Sequence, residues 1–472
     1  MASLASLPVE ILHGICHRLA LLSTESLRNL CLANKDLNRI CSPCLVYRWS
    51  AGQDCVEPPL EQLLLHLFRH PELRKEVKSL GIGYTMPPGG TTYLFSSPSP
   101  VDLDRETLSE LAEAAASDIK MKPEYLEELC SDIKLGCTDA LNVLLLAWCT
   151  DVADLSIALP PLYAIESLDS HVLTFAREAI LRLLPDETPA DNLPFGEVRH
   201  FELQYYDHHH LYFKAVTPFF HLPKIKSVVA FGLCDYEIEW MMWCSYGGRY
   251  DLEIPDASSS LEELVLTNAM FAQDALYTLL RGVRNLRKLK LQTFVCSKDY
   301  PTDREEIADV LTICQDSLEE LYLDTEPREH LLDPDSRRID FGILANEMLE
   351  EKDVFKDFIN LRRLSCPMTD FVSVNCDDGQ NIVPGKLPKS IEFLKPRCYD
   401  MAENWVSNDS SVGPYIEAFI KILEEAGPGH RLCNLTVLDL SETFKDDLET
   451  VGINRMKYLA DARGVRLLLK ED

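Results

Sequence analysis

Apolar residues recur along this chain in a short fixed phrase: an apolar residue, two variable positions, an apolar residue, one variable position and a final apolar residue. The clearest copies are Leu261-x-x-Leu264-x-Leu266, Leu286-x-x-Leu289-x-Leu291, Leu318-x-x-Leu321-x-Leu323 and Leu435-x-x-Leu438-x-Leu440, with Leu361-x-x-Leu364-x-Cys366 close behind. Weaker copies start at Val77, Val152, Val198, Ile225 and Ile391. Side chains alternate along a strand, so each phrase predicts a short strand whose last two apolar residues share one face. Between the phrases the apolar spacing becomes helical over Leu60–His70, Cys137–Trp148, His171–Leu183, Ala272–Gly282, Asp303–Cys314, Phe341–Phe358 and Tyr415–Glu425. The segment Arg463–Lys470 predicts a last strand that caps the stack.

One strand and one helix, repeated about ten times, is the signature of a leucine-rich repeat solenoid. The fold class expected is therefore α/β, with strand–helix repeats building a curved parallel sheet. Repeat lengths, taken between middle apolar positions, include 25 (Leu264 to Leu289), 32 (Leu289 to Leu321), 36 (Val228 to Leu264) and 43 (Leu321 to Leu364), so the solenoid is irregular and carries inserts. A doubly wound fold also alternates strand and helix, but its strands are buried on both faces and read as near-continuous apolar runs. Here the position between the last two apolar residues is Val265, Lys290, Tyr322, Ser365, Lys395 or Asp439, which leaves one face open. Pro-, Gly- and Ser-rich stretches at Thr85–Pro100, Pro185–Gly196, Ser245–Ser260, Thr325–Asp340 and Asp377–Pro388 predict loops.

The first 48 residues have a different pattern. Leu7, Ile11, Ile15 and Leu19 fall at i, i+4, i+8 and i+12, with Pro8 suited to a first helical turn. Ser23-Thr24 interrupts this, and Leu27, Leu30, Leu37 and Ile40 restart it. Three short helices in about 45 residues bury too little of themselves to stand alone comfortably, which predicts a docking head. The expected organisation is a head at 4–48, a linker and connecting helix at 49–76, and repeats over 77–472.

Composition changes this picture in three places. An apolar fraction of 46% in 472 residues supports a large core. Of the net charge of −30, residues 1–50 contribute five basic against three acidic side chains, so a +2 head precedes a body of −32. An acidic body repels phosphate backbones, which argues against nucleic acid as a partner. The first 25 residues lack a signal-peptide pattern, interrupted as they are by Glu10, His13, His17 and Arg18, and a run such as Leu141–Cys149 is about half a membrane span. Sixteen scattered cysteines fit reduced, buried thiols, so the expected location is cytoplasmic or nuclear, with no membrane association.

Candidate chemistry is sparse. His13 and His17 stand at i, i+4 as in a zinc helix, but Gly14 occupies the place of the catalytic Glu. Cys41-Ser-Pro-Cys44 has C-x-x-C spacing without a second pair at compatible spacing or a βαβ context, and reads as structural. His208, His209 and His210 are consecutive and cannot all face one metal. No nucleophile elbow, phosphate-binding loop or dinucleotide fingerprint occurs, and Gly81-Ile-Gly83 is only a fragment of one. The expectation is a protein that is not an enzyme, with no cofactor and no metal. What remains is the open face of the sheet, where Phe231, Tyr322 and Phe393 stand among Lys288, Lys290, Arg363, Lys395 and Arg397. Aromatics and Arg are enriched at interaction hot spots, so these eight are the candidate target-binding residues. The basic ones suit a phosphate or acidic group, although cross-strand pairing with acidic neighbours is the competing use.

The stretch Leu7-Pro8-x-Glu10-Ile11-Leu12-x-x-Ile15-x-x-x-Leu19, followed by Leu27-x-x-Leu30-x-Leu32-Ala33-Asn34-Lys35-x-Leu37-x-x-Ile40-x-x-Pro43-x-Leu45-x-Tyr47-Arg48, resembles the F-box, especially of fungal proteins. Ala33 departs from it, since a larger aliphatic residue is usual there. The resemblance implies the substrate receptor of an SCF-type (Skp–cullin–F-box) ubiquitin ligase, in the ubiquitin-like conjugation pathway. It implies that Leu7, Pro8, Ile11, Ile15, Leu27, Leu30, Leu32 and Leu37 meet an acidic Skp-family adaptor and, through it, a cullin. An unidentified protein target would then lie on the repeats. An adaptor-bound scaffold acting outside ubiquitination is the alternative.

Overall fold

The computed structural model describes residues 4, 7–51, 59–83, 101, 103–158, 170–183, 193–204, 211–234, 256, 258–269, 273–283, 285–293, 310–324, 355–367, 372–374, 382–384, 387–397, 413–443 and 451–469. The chain divides into two compact units, the first comprising Met1–Ile254 with Ser258–Ser260 and the second Pro255–Ala257 with Leu261–Asp472. Both are α/β, and the main strands of each pair in parallel.

The first unit opens with α1 (Val9–Leu22), α2 (Thr24–Ala33) and α3 (Lys35–Cys41). Ser23 and Asn34 separate them as N-caps, their side chains accepting from the N–H groups of Ser26 at 3.1 Å and Leu37 at 2.8 Å. The main sheet follows, in the order β1 (Arg48–Ser50), β2 (Ser79–Ile82), β3 (Asp154–Ala158), β4 (His200–Gln204) and, last, β6 (Ser227–Phe231). A separate two-stranded pair is formed by β5 (Leu211–Tyr212) and β7 (Leu233–Cys234). Helices α4 (Leu60–Arg69), α5 (Arg105–Asp118), α6 (Pro123–Lys134), α7 (Thr138–Trp148), α8 (His171–Leu181) and the single turn α9 (Phe213–Val216) lie between strands. The second unit orders its main sheet as β8 (Glu263–Ala269), β9 (Lys288–Thr293), β10 (Glu320–Asp324), β11 (Arg363–Pro367), β14 (Phe393–Arg397), β15 (Val437–Asp439) and β16 (Arg466–Leu468). It also contains α10 (Gln273–Arg281), α11 (Gly413–Glu424) and α12 (Val451–Arg463).

Every copy of the phrase is a strand, and the register explains why the phrase recurs. The middle apolar residues stack as one ladder in the second unit: Leu264, Leu289, Leu321, Leu364, Leu394, Leu438 and Leu467 are successive cross-strand partners. In the first unit the same rung is Trp49, Leu80, Leu155, Phe201 and Val228. The first apolar residue of each phrase precedes the strand and is buried beneath it, as with Leu261, Leu286, Leu318, Leu361 and Ile391. A polar residue just before it ties adjacent repeats together. The Ser317 hydroxyl donates to the Leu286 carbonyl at 2.8 Å and the Ser390 hydroxyl to the Leu361 carbonyl at 2.7 Å.

Three expectations change. Arg48–Ser50, expected to straddle the end of the head and the start of a linker, is a strand of the main sheet, with Trp49 buried on the ladder. Its attachment repeats a bond pattern found at most of the later strands. The Tyr47 carbonyl accepts from both Lys78 and Ser79 N–H, as that of Lys78 does from Ala153 and Asp154 and that of Arg287 from Glu319 and Glu320. The fragment Gly81-Ile-Gly83 belongs to this junction: a Cβ on Gly81 would stand 2.8 Å from Ser50 Cβ, and one on Gly83 would stand 2.7 Å from the Ala51 carbonyl oxygen. Within 377–388, expected as loop, β13 (Ile382–Pro384) pairs antiparallel with β12 (Val372–Val374). The helices expected at Phe341–Phe358 and Asp303–Cys314 fall largely outside the described residues, as do the loop at Thr85–Pro100 and the His208–His210 cluster. The described part of the latter helix ends as a 3-10 turn at Thr312–Cys314.

Candidate interaction surfaces

The head builds its own small core from Leu12, Cys16, Ala20, Leu27, Cys31, Leu37, Ile40, Cys41 and Cys44. Helix α1 carries two neighbouring apolar stripes, because apolar residues occur as pairs at 11/12, 15/16 and 19/20. The stripe with the smaller side chains (Leu12, Cys16, Ala20) faces inward, where helices approach closely. The 7/11/15/19 stripe therefore turns outward: Ile11 is 53% exposed, Ile15 is half-buried, and Leu7 and Leu19 pack only partly against the core.

This sorts the expected adaptor-binding residues. Leu27 and Leu37 are corrected: buried in the head's own core, they have no surface to offer a partner. Pro8 and Ile11 are exposed, Leu7, Ile15 and Leu30 half-buried, and Leu32 is 83% exposed. Leu22, 81% exposed, joins them with Val9 and Leu21, none of which falls on the 7/11/15/19 spacing. Large exposed apolar side chains on α1 and α2 cost solvation unless something covers them.

The head also contains thiol and imidazole groups. The Cys16 and Cys41 sulfurs are 2.7 Å apart. Burial pushes the Cys31 and Cys41 thiols up, and burial, followed by Cys16 and the Glu76 carboxylate, pushes Cys44 up to about 12. The two cysteines of C-x-x-C therefore face different neighbours, since Cys44 lies beside the imidazoles of His13 and His17.

On the open face of the first unit, Phe231 is 39% exposed and Val229 stands exposed beside it on β6. The face of the second unit is occupied by its own side chains. Lys288 pairs with Glu263 at 2.6 Å, and the Arg363 guanidinium lies 4.6 Å from the centre of the Phe393 ring. Tyr322 takes two cations, Lys290 at 5.0 Å and Arg397 at 4.5 Å from its ring centre. Arg397 also pairs with Asp324 at 2.9 Å and with Glu442 at 3.0 Å, while Lys395 pairs with Glu442 at 2.8 Å. Burial alone would raise the Glu442 carboxyl, but the Lys395 hydrogen bond and the Arg397 charge outweigh it and hold it below its ordinary value. Lys395 and Arg397 are thus corrected as free anion-readers: their charge is neutralised within the unit, and Asp324, Ser365 and Asp439 between them are buried. Asp324 follows from strand alternation. Glu442, in the turn after β15, carried no signal in the pattern.

A search of protein-family models finds no match to the chain, and a search of curated proteins finds none either. Among the described residues no helix is long and apolar enough to cross a membrane.

Proposed function

We propose that this is a non-catalytic adaptor-docking protein, an F-box head followed by an irregular leucine-rich repeat solenoid. More particularly, it is the substrate-recognition subunit of an SCF-type ubiquitin ligase. The observation that carries this reading is the set of outward apolar side chains on the head, Ile11, Leu22 and Leu32, within the stretch that resembles the F-box. Burying one such side chain against a Skp-family adaptor contributes roughly 1.5–3 kcal/mol, so a handful anchors a stable complex. The positive head suits an acidic adaptor.

The target docks on the open face of the repeats, with Phe231 as an apolar anchor in the first unit and Lys288, Lys290, Tyr322, Arg363 and Phe393 as the accessible set in the second. Because the head ends in a strand of the main sheet, its seating on the first repeats is fixed. Holding a target near the ligase at a set separation raises its effective concentration there. The test is affinity purification of the full chain beside its Leu7→Ala/Pro8→Ala variant. The reading requires an adaptor and a cullin with the wild type and neither with the variant. An adaptor without a cullin supports the scaffold alternative, and an adaptor retained by the variant refutes the docking assignment. Deleting residues 1–50 is the wrong control, since it removes β1 and uncovers Leu80 on the ladder.

A further inference from the structure

We propose that the head holds a zinc ion through His13 and His17 of α1 and Cys44 of the turn at Ser42–Val46. The three ligand atoms, two imidazole nitrogens and one sulfur, lie within 4.8 Å of one another. They come from two elements that the fold holds together. An i, i+4 spacing places both histidines on one side of α1. Cys44 is fixed by its burial in the short helical turn that leads into β1.

Tetrahedral zinc binds nitrogen at about 2.0–2.1 Å and thiolate sulfur at about 2.3 Å, which puts neighbouring ligand atoms roughly 3.5 Å apart. The donors must therefore draw in by about 1 Å, a movement within reach of side-chain rotation at His13, which is exposed. Among the described residues neither imidazole has a hydrogen-bond or ion-pair partner, and the His17 ring instead packs 5.1 Å from that of Tyr47. Two neutral imidazoles and one thiolate form a mixed nitrogen–sulfur set that favours zinc over the hard, oxygen-seeking cations. Binding forms one Zn–S and two Zn–N bonds and breaks the Cys44 S–H bond, whose proton passes to solvent; water completes the fourth position.

The site is distinct from the stripe that carries Ile11 and Ile15. Helix geometry sets His13 about 200° around α1 from Ile11, and His17 the same angle from Ile15. A metal there would tie α1 to the turn that enters β1, across the junction between head and sheet.

The test is a cobalt(II) titration of the metal-stripped, reduced full chain, read by the thiolate-to-cobalt charge-transfer band, with zinc competition for affinity. We expect one equivalent to bind with that band. It should be lost in Cys44→Ser and weakened at least about 100-fold in His13→Ala/His17→Ala, which spares the core if the cysteine variant does not fold. Cys41→Ser should leave it unchanged. No band, or a band surviving in the double-histidine variant, overturns the proposal. Adaptor binding by that variant separates this result from the docking assignment, because loss of the metal site should leave the apolar stripe in place.

Discussion

Gly81→Ala isolates the junction on which the fixed seating of the head depends. The added methyl would stand 2.5 Å from Ser50 Oγ, 2.8 Å from its Cβ and 3.1 Å from its Cα, so backbone as well as side chain must move. Overpacking of this kind costs about 1–3 kcal/mol, and reduced freedom of the unfolded chain returns about 0.4–1 kcal/mol. The mid-range net local loss is then about 1.3 kcal/mol, equivalent to roughly a tenfold change in the opening equilibrium. A chain of two units is a poor two-state unfolder, so the readout should be local. The Ala51 N–H donates to the Gly81 carbonyl at 2.9 Å, and its hydrogen exchange reports opening of this edge. Exchange at Ala51 should quicken by that factor in Gly81→Ala, while exchange within β9–β11 stays unchanged. Ser50→Gly removes the Oγ and Cβ that the methyl meets, so the double variant should recover most of the loss. Unchanged or slower exchange in Gly81→Ala, or a double variant no better than the single, would refute the close approach and with it the fixed seating.

Two further outcomes concern the second unit. Arg397→Ala removes the cation from the Asp324 carboxylate, whose side chain is 11% exposed and keeps the Gln292 amide as a donor at 3.0 Å, and should destabilise that unit by about 3 kcal/mol in a urea titration. Adding Asp324→Asn should recover part of the loss, and a stable single variant would contradict the network. Glu442 has a folded-state value below its ordinary one, so its stabilisation is present above the unfolded value of about 4.3 and disappears as pH falls through the folded value. The difference in melting temperature between wild type and Glu442→Gln should therefore shrink on acidification in that range; a difference independent of pH would remove Glu442 from the account.

The strands were legible because the stacked register imposes one rule on every copy. A rung position must be apolar to meet its neighbours on both sides, so Leu264 and its partners reveal themselves by spacing alone. Trp49 escaped because Arg48–Ser50 is a single apolar residue between polar ones, and its rung becomes apparent only beside Leu80. Helices α5 and α6 also went unread, their apolar positions diluted by Ala and by charge. In the head, spacing found an apolar stripe but not its direction. Two stripes fit one helix, and the choice between Ile11 and Leu12 is made by how closely α1 can approach its neighbours. Leu27 and Leu37 share the spacing of a docking surface yet are needed inside. The nearness of Cys44 to His13 and His17, and of Glu442 to Lys395 and Arg397, depends on contacts between elements that no local pattern encodes.

The central claim is that the outward apolar stripe of the head is a docking surface for a Skp-family adaptor. Its most direct test is the dissociation constant of the purified full chain for such an adaptor, compared with the Ile11→Asp/Leu32→Asp variant. Both side chains are exposed, so the substitutions should leave the fold and its melting temperature unchanged. If both are buried on docking, losing them costs about 3–6 kcal/mol, or roughly two to four orders of magnitude in affinity. The account predicts a fall of at least about 100-fold on that scale; an affinity equal to that of the wild type would contradict it.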